Sequence, residues 1–324
     1  MTAPDPARLP DPAGQPDYAR LIDAATWAFI RETEGWYPPD ATGLTIAGQR
    51  AVYDRMARAF HRGRPAGVTT RDRPFGGVAC RVYRPAGAVV FTVLYLHGGG
   101  FVVGGLDSHD DICAEIAAAT GARVVAVDYR LAPEHRHPAA FDDALAAARA
   151  VAVEFPGPLI LAGDSAGGCL AAAVAQRARA GGPAVAGQVL IYPGLGGASD
   201  RGSYLSHAHA PMLSRDDVLW YARIRHGGGQ ARCDDPTADP LRDSDFAGLP
   251  PSVIISAECD PLADDGRDYR DRIRAAGGRA DWICEAGLVH GYLRARASVP
   301  RAAASFGRIT AAIAALGRGH WPAL

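Results

Sequence analysis

Apolar β-branched runs alternate with helical stretches from roughly residue 89 to residue 317, and no other feature limits the fold so tightly. "VVFTVLYLH" (89–97) and "RVVAVDYR" (123–130) are continuous apolar runs, as strands covered on both faces must be. Between them, "DSHDDICAEIAAATG" (107–121) has helical character and stops at Gly121. The series continues with a helix over 138–155, a strand over 158–165, a helix over 166–182 and a strand over 187–194. After a break it resumes with a strand over 252–260, a helix over 264–278, a strand over 280–287 and a helix over 301–317. This pattern predicts an α/β fold with a mostly parallel, doubly wound central sheet flanked by helices. Ligands of such sheets sit beyond the carboxyl ends of the strands.

Outside the series, residues 17–31 and 44–60 read as two amphipathic helices separated by "GWYPPDATG". "GVACRVYRP" (77–85) alternates like an edge strand, and 195 to about 247 is an irregular insertion that suits either a lid or a long connection. Composition removes several function classes. All 34 basic residues are arginine, so Schiff-base chemistry, covalent pyridoxal phosphate and a Ser-Lys dyad are excluded. The net charge of -1 offers no footprint for nucleic acid or an anionic membrane. Cys80, Cys113, Cys169, Cys233, Cys259 and Cys284 form neither a CxxC pair nor a zinc-ligand spacing. They read as reduced thiols of a cytoplasmic protein. The first residues lack the basic-then-apolar order of a signal peptide, and no apolar run reaches membrane-spanning length.

The chemistry is concentrated in two glycine-rich segments. Gly163-Asp164-Ser165-Ala166-Gly167 is a GxSxG placed where a strand becomes a helix, and such a corner projects the serine out of the sheet. A nucleophilic serine needs a base, and the base needs an orienting acid. His290, just past the strand over 280–287, is placed to reach Ser165, whereas His207 and His209 read as surface residues of the insertion and His320 as solvent-exposed. For the acid, Asp260 follows a strand and precedes a proline. Glu258 competes with it, and spacing leaves the choice open. Asp264 and Asp265 fit the first turn of a helix. The second segment, "LHGGGFVVGG" (96–105), ends an apolar strand with backbone almost bare of side chains. Amides that are fixed before charge develops stabilise an oxyanion best, which points to Gly98, Gly99 and Ala166 as its donors and to His97 as a structural support of the loop.

With "HGGGFVVG" (97–104), "DYRLAPEHRHPAA" (128–140), "GDSAGG" (163–168), "YPGL" (192–195), "ECDPLADDG" (258–266) and "HGY" (290–292), the chain resembles the hormone-sensitive-lipase-like esterases, the bacterial family IV of the α/β-hydrolase superfamily. The resemblance implies an α/β-hydrolase fold with a helical cap. Residues 1–60 and 195–240 would supply the cap, and 61–194 with 241–324 the catalytic domain. It also implies Ser165 as nucleophile, Asp260 as acid and His290 as base, with Arg130 and Glu134 as supports near the site. The implied reaction is hydrolysis of short- to medium-chain acyl esters through an acyl-enzyme, with no metal or organic cofactor. The partner is a small-molecule ester, with neither nucleic acid nor membrane, and a homodimer is left open. Tyr292 stands where the family usually has phenylalanine.

Large side chains of the cap segments, Trp27, Phe29, Trp36, Tyr37, Tyr204, Met212, Leu213, Trp220 and Tyr221, suit a closed acyl pocket and equally a plain cap core. For substrate contact, Tyr204, Met212, Leu213 and Trp220 are expected to matter most. Two rival readings stand beside the esterase: an amidase, deacetylase or lactonase acting on one metabolite, and a non-catalytic small-molecule receptor. The histidine at 290 argues against the receptor.

Overall fold

The computed structural model describes residues 15–38, 43–228 and 234–323. Cys233, the first 14 residues of the expected cap, its 39–42 linker and residues 229–233 of the insertion lie outside the described residues. One eight-stranded sheet organises the molecule. Its strands are β1 (Thr69–Phe75), β2 (Val78–Arg84), β3 (Thr92–Leu96), β4 (Arg123–Val127), β5 (Leu159–Asp164), β6 (Gly187–Ile191), β7 (Ser252–Cys259) and β8 (Ala280–Val289). Their spatial order is β1-β2-β4-β3-β5-β6-β7-β8. β2 is antiparallel to both neighbours, and β4 through β8 pair in parallel.

The helices are α1 (Tyr18–Leu21), α2 (Ala24–Glu34), α3 (Ile46–Phe60), α4 (Asp110–Thr120), α5 (Ala139–Glu154), α6 (Ala166–Ala178), α7 (Ser203–Ser206), α8 (Arg215–His226), α9 (Ala263–Ala275) and α10 (Pro300–Gly317). Every residue of β3, β5 and β6 is buried, which is why these strands read as unbroken apolar runs. One core cluster joins α4 and α10 to one face of the sheet, and a second joins α5, α6 and α9 to the other. Gly121 ends α4 in the left-handed region at φ +72°, as its position after the helical run predicts.

Two expectations need correction. The segment 77–85 is not the sheet's edge, because β1 pairs along its whole outer side. β1 reads "TTRDRPF" and buries only Phe75 fully, so it carries almost no apolar signal. Residues 17–31 form two helices, not one. Asp17 caps α1, the chain turns extended at Ile22 (ψ +125°), and Asp23 caps α2 by accepting from the Thr26 amide at 2.8 Å.

Candidate active site

β5 is buried to its last residue and α6 starts at Ala166, which leaves Ser165 alone to turn the corner. It does so at φ +54° and ψ -118°, backbone that L-residues rarely adopt. The corner closes because both flanking positions lack a side chain: a Cβ at Gly167 would stand 1.9 Å from the Leu96 carbonyl oxygen, and one at Gly163 2.5 Å from the Gly167 carbonyl. Among the described residues, four non-glycine residues have positive φ, namely Phe101, Ser165, Tyr192 and Met212, and all four line one cavity of about 840 Å³. Such strain collects where a site must hold an exact geometry.

His290 follows β8 directly and brings its Nε2 to 2.8 Å from Ser165 Oγ. Its Nδ1 lies 2.7 Å from Oδ2 of Asp260, which follows β7 and is 1 % exposed. The other Asp260 oxygen accepts the Leu262 amide at 2.9 Å, which fixes the carboxylate in place. Glu258 is turned elsewhere and accepts the Gly287 amide at 2.7 Å. The choice that spacing left open therefore falls on Asp260. Ser165 lies 125 positions from His290, and His290 30 positions from Asp260; the three meet because β5, β7 and β8 all end at the same edge of the sheet.

The glycine loop departs from expectation at one position. The Gly98 amide donates to Asp164 Oδ1 at 3.1 Å, so it is not available to a substrate. The amides of Gly99 and Gly100, by contrast, have no acceptor among the described residues, and both glycines line the cavity with Ala166, Ser165 and His290. A side chain at Gly100 would strike the Tyr221 ring of α8 at 2.4 Å, so the loop is roofed by the insertion. His97 is buried, hydrogen-bonds the Gly98 carbonyl oxygen through Nδ1 at 2.8 Å and stacks on Tyr129 at 4.2 Å. Burial pushes its pKa down to about 3, and the histidine in contact with Ser165 is His290.

Asp164, which the motif reading left without a role, is the hub beneath this loop. It is buried and accepts from Tyr95 Oη at 2.8 Å and from the Gly98 amide, with His109 Nε2 at 3.3 Å and Tyr192 Oη at 3.4 Å. Burial alone raises a carboxyl pKa, but His109, the Tyr95 hydroxyl and the Arg294 charge outweigh it and hold Asp164 well below the usual range. Glu134 forms a two-pronged ion pair with Arg50 of α3, and Arg50 also donates to the Val102 and Ala132 carbonyls. Arg130 clamps Asp143 of α5 in the same two-pronged way. Both are supports around the site and stay out of the cavity.

Tyr204, Met212, Leu213 and Trp220 all line the cavity, with Tyr37 and Tyr221. Trp27, Phe29 and Trp36 do not: Phe29 belongs to the core, Trp27 packs against it and Trp36 is exposed. His209 and His320 are exposed, but His207 is half-buried, with Nδ1 3.1 Å from the Tyr18 hydroxyl, and so ties α7 to α1. Its partner lies 189 positions away, beyond the reach of a local reading.

The family model described as alpha/beta hydrolase fold matches residues 93–294, which span the glycine loop, the serine corner and the histidine. The chain belongs to the hormone-sensitive-lipase-like branch of the α/β-hydrolase family. This α/β-hydrolase is 42% identical over 248 residues to the esterase LipI of Mycobacterium tuberculosis, covering 71% of this chain and 76% of the relative. It is 36% identical over 243 residues to the ethyl acetate hydrolase of Pseudomonas putida, covering 70% of this chain and 74% of the relative. Among solved structures, a thermostable esterase from Pseudomonas putida superposes with a TM-score of 0.83 at 29% identity, over 90% of this chain and 97% of that one. The tyrosine in the hydrolase's "HGY" is buried, and its hydroxyl shares a 2.7 Å hydrogen bond with Ser305. That polar atom faces α10, not the cavity.

Proposed function

We propose that the chain is a serine carboxylesterase acting on short- to medium-chain acyl esters through an acyl-enzyme. The observation that carries this reading is the unbroken chain from Ser165 Oγ through the His290 imidazole to the Asp260 carboxylate. His290 Nε2 takes the Ser165 proton as Oγ attacks the ester carbonyl, and the buried carboxylate stabilises the imidazolium that results. The oxyanion is received by the amides of Gly99, Gly100 and Ala166. Ala166 opens α6, where a first-turn amide has no acceptor within the helix. His290 then returns the proton to the leaving alcohol and repeats the cycle with water.

The acyl-length preference rests on the cavity. α2, α3 and the 203–226 stretch wall it with aromatic and apolar side chains, and about 840 Å³ accommodates a small ester. These segments form a cap over the catalytic domain in this reading. Two copies pairing along the open edge of β8 and a cytoplasmic location complete it; sedimentation as a monomer, or recovery outside the cytoplasm, would remove those two elements. Among the described residues no helix is long and apolar enough to cross a membrane. The decisive experiment is Ser165→Ala with p-nitrophenyl butyrate. Turnover is expected to vanish with the melting curve intact, and near-wild-type activity would refute the mechanism.

A further inference from the structure

Among the charges that line the cavity and take no part in this mechanism, Arg294 is the one beside the histidine loop. Arg294 sits on the 3-10 turn Tyr292–Ala297, which leaves the catalytic histidine through Gly291 at φ +77°. A Cβ on Gly291 would stand 4.0 Å from both Arg294 Nη1 and Met212 Cε, so the guanidinium lies between the histidine loop and the insertion. Its Nη2 donates to the Tyr53 hydroxyl, and the Tyr53 ring packs against it at 4.7 Å. Its Nε is buried with no acceptor, and among the described residues no carboxylate pairs with it. Arg296, two residues on, shows how this chain treats a buried arginine that is purely structural: Asp111 and Glu115 both bind it at 2.6 Å.

The acids around the cavity do not fill the vacancy. The oxygens of Asp164 are taken by their own donors, Asp217 is committed to the capping box of α8, Asp239 makes no ion pair with Arg294, and Glu34 and Asp216 are exposed. Arg225, a buried arginine of the same wall, also has one donor, Nη2, without an acceptor, but the Phe101 ring covers it at 3.7 Å and the Ala238 carbonyl binds its Nη1. The Asp164 charge steadies this half-buried guanidinium from a distance, but no carboxylate is ion-paired to it and its buried Nε stays unsatisfied, so an anion entering the cavity finds a charge and free donor capacity there. We infer that Arg294 is a specificity-determining residue that receives the free carboxylate of a substrate carrying both an ester and an acid. The preferred substrates are then half-esters of small dicarboxylic acids or acylated hydroxy acids. The bond broken is the same ester C–O bond, and the products are an acid and an alcohol, one of them bearing the second carboxylate.

This inference rests on the ester hydrolysis proposed above, and one assay separates the two. Proton release is followed in a pH-stat for monoethyl glutarate against ethyl pentanoate, and for acetoxyacetate against its methyl ester. The first pair places the carboxylate on the acyl side, the second on the alcohol side. In the wild type, kcat/KM for one of the acid esters should exceed that of its neutral partner by about 10- to 100-fold, the range a charge-assisted hydrogen bond supplies. Arg294→Met should remove that ratio, and Arg294→Lys should retain part of it. A ratio of one or less for both pairs in the wild type, or a ratio unchanged in Arg294→Met, overturns the inference. The wild-type ratios do not depend on how well either variant folds. If the neutral esters are not turned over either, the esterase reading fails instead.

Discussion

Asp164→Asn separates the support of the oxyanion loop from the chemistry it serves. One carboxylate oxygen of Asp164 serves Tyr95 and Gly98 at 2.8 and 3.1 Å, and the other faces His109 and Tyr192 at 3.3 and 3.4 Å. An asparagine has the same shape but must turn its NH2 toward one of these pairs of donors. It will turn toward the longer pair and keep the Tyr95 and Gly98 contacts. Two hydrogen bonds to a charged acceptor are then lost, each contributing about 1.5 kcal/mol at the weak end appropriate to such long contacts. The total of about 3 kcal/mol lowers Tm by roughly 4–5 °C in a chain of 324 residues. The linkage has the corresponding sign. The folded-state pKa of Asp164 is held below the ordinary 3.8, so its stabilisation is present above that pH and is lost only as pH falls through the lower folded value. The variant should therefore be destabilised throughout the neutral range. Because Gly98 keeps its anchor, kcat on p-nitrophenyl butyrate should fall by less than about tenfold, well short of the roughly hundredfold cost of losing an oxyanion donor. Thermal melts and steady-state kinetics on one preparation suffice. A Tm within about 2 °C of wild type would refute the hub argument.

Three further outcomes are expected. Asp260→Asn should lower kcat by about 10⁴-fold because the imidazole is then held in the wrong tautomer, whereas Glu258→Gln should change it little; steady-state kinetics that reverse this order would move the acid to Glu258. Gly167→Ala should fail to give active, cooperatively melting protein, because its Cβ would fall 1.9 Å from a backbone oxygen of β3 that cannot yield. Burial pushes the Asp265 pKa up from 3.8 to about 7, against the pull of hydrogen bonds from Leu195, Gly197 and Tyr204, so the stability it contributes below pH 3.8 is lost progressively as pH rises from there to about 7. Asp265→Asn should flatten this decline in Tm between about pH 4 and pH 7, and an unchanged slope there would remove Asp265 as its source.

The parts of the molecule legible in the sequence are those whose signal is local. β3, β5 and β6 are buried on every residue, so their apolar runs announce them, and α4 ends where Gly121 supplies a left-handed backbone. The serine corner is legible for the same reason, since only glycine at 163 and 167 lets the chain turn there. β1 is not legible in the sequence because an outer strand that fully buries one residue has no periodicity to read. The break at Ile22 was missed because two aspartate caps interrupt a pattern that apolar spacing alone would continue.

The sequence by itself determined the α/β architecture, the serine corner, the histidine after the last strand and a glycine loop at the end of β3, because each is written into a few consecutive residues. Only the tertiary structure turned Asp260 and not Glu258 toward His290, engaged the Gly98 amide with Asp164, gathered four polar partners around that carboxylate and left Arg294 without an ion-paired carboxylate. Those outcomes depend on which way a side chain or amide points once distant strands share one edge. Direction across a sheet is set by packing between segments, and no single segment carries it.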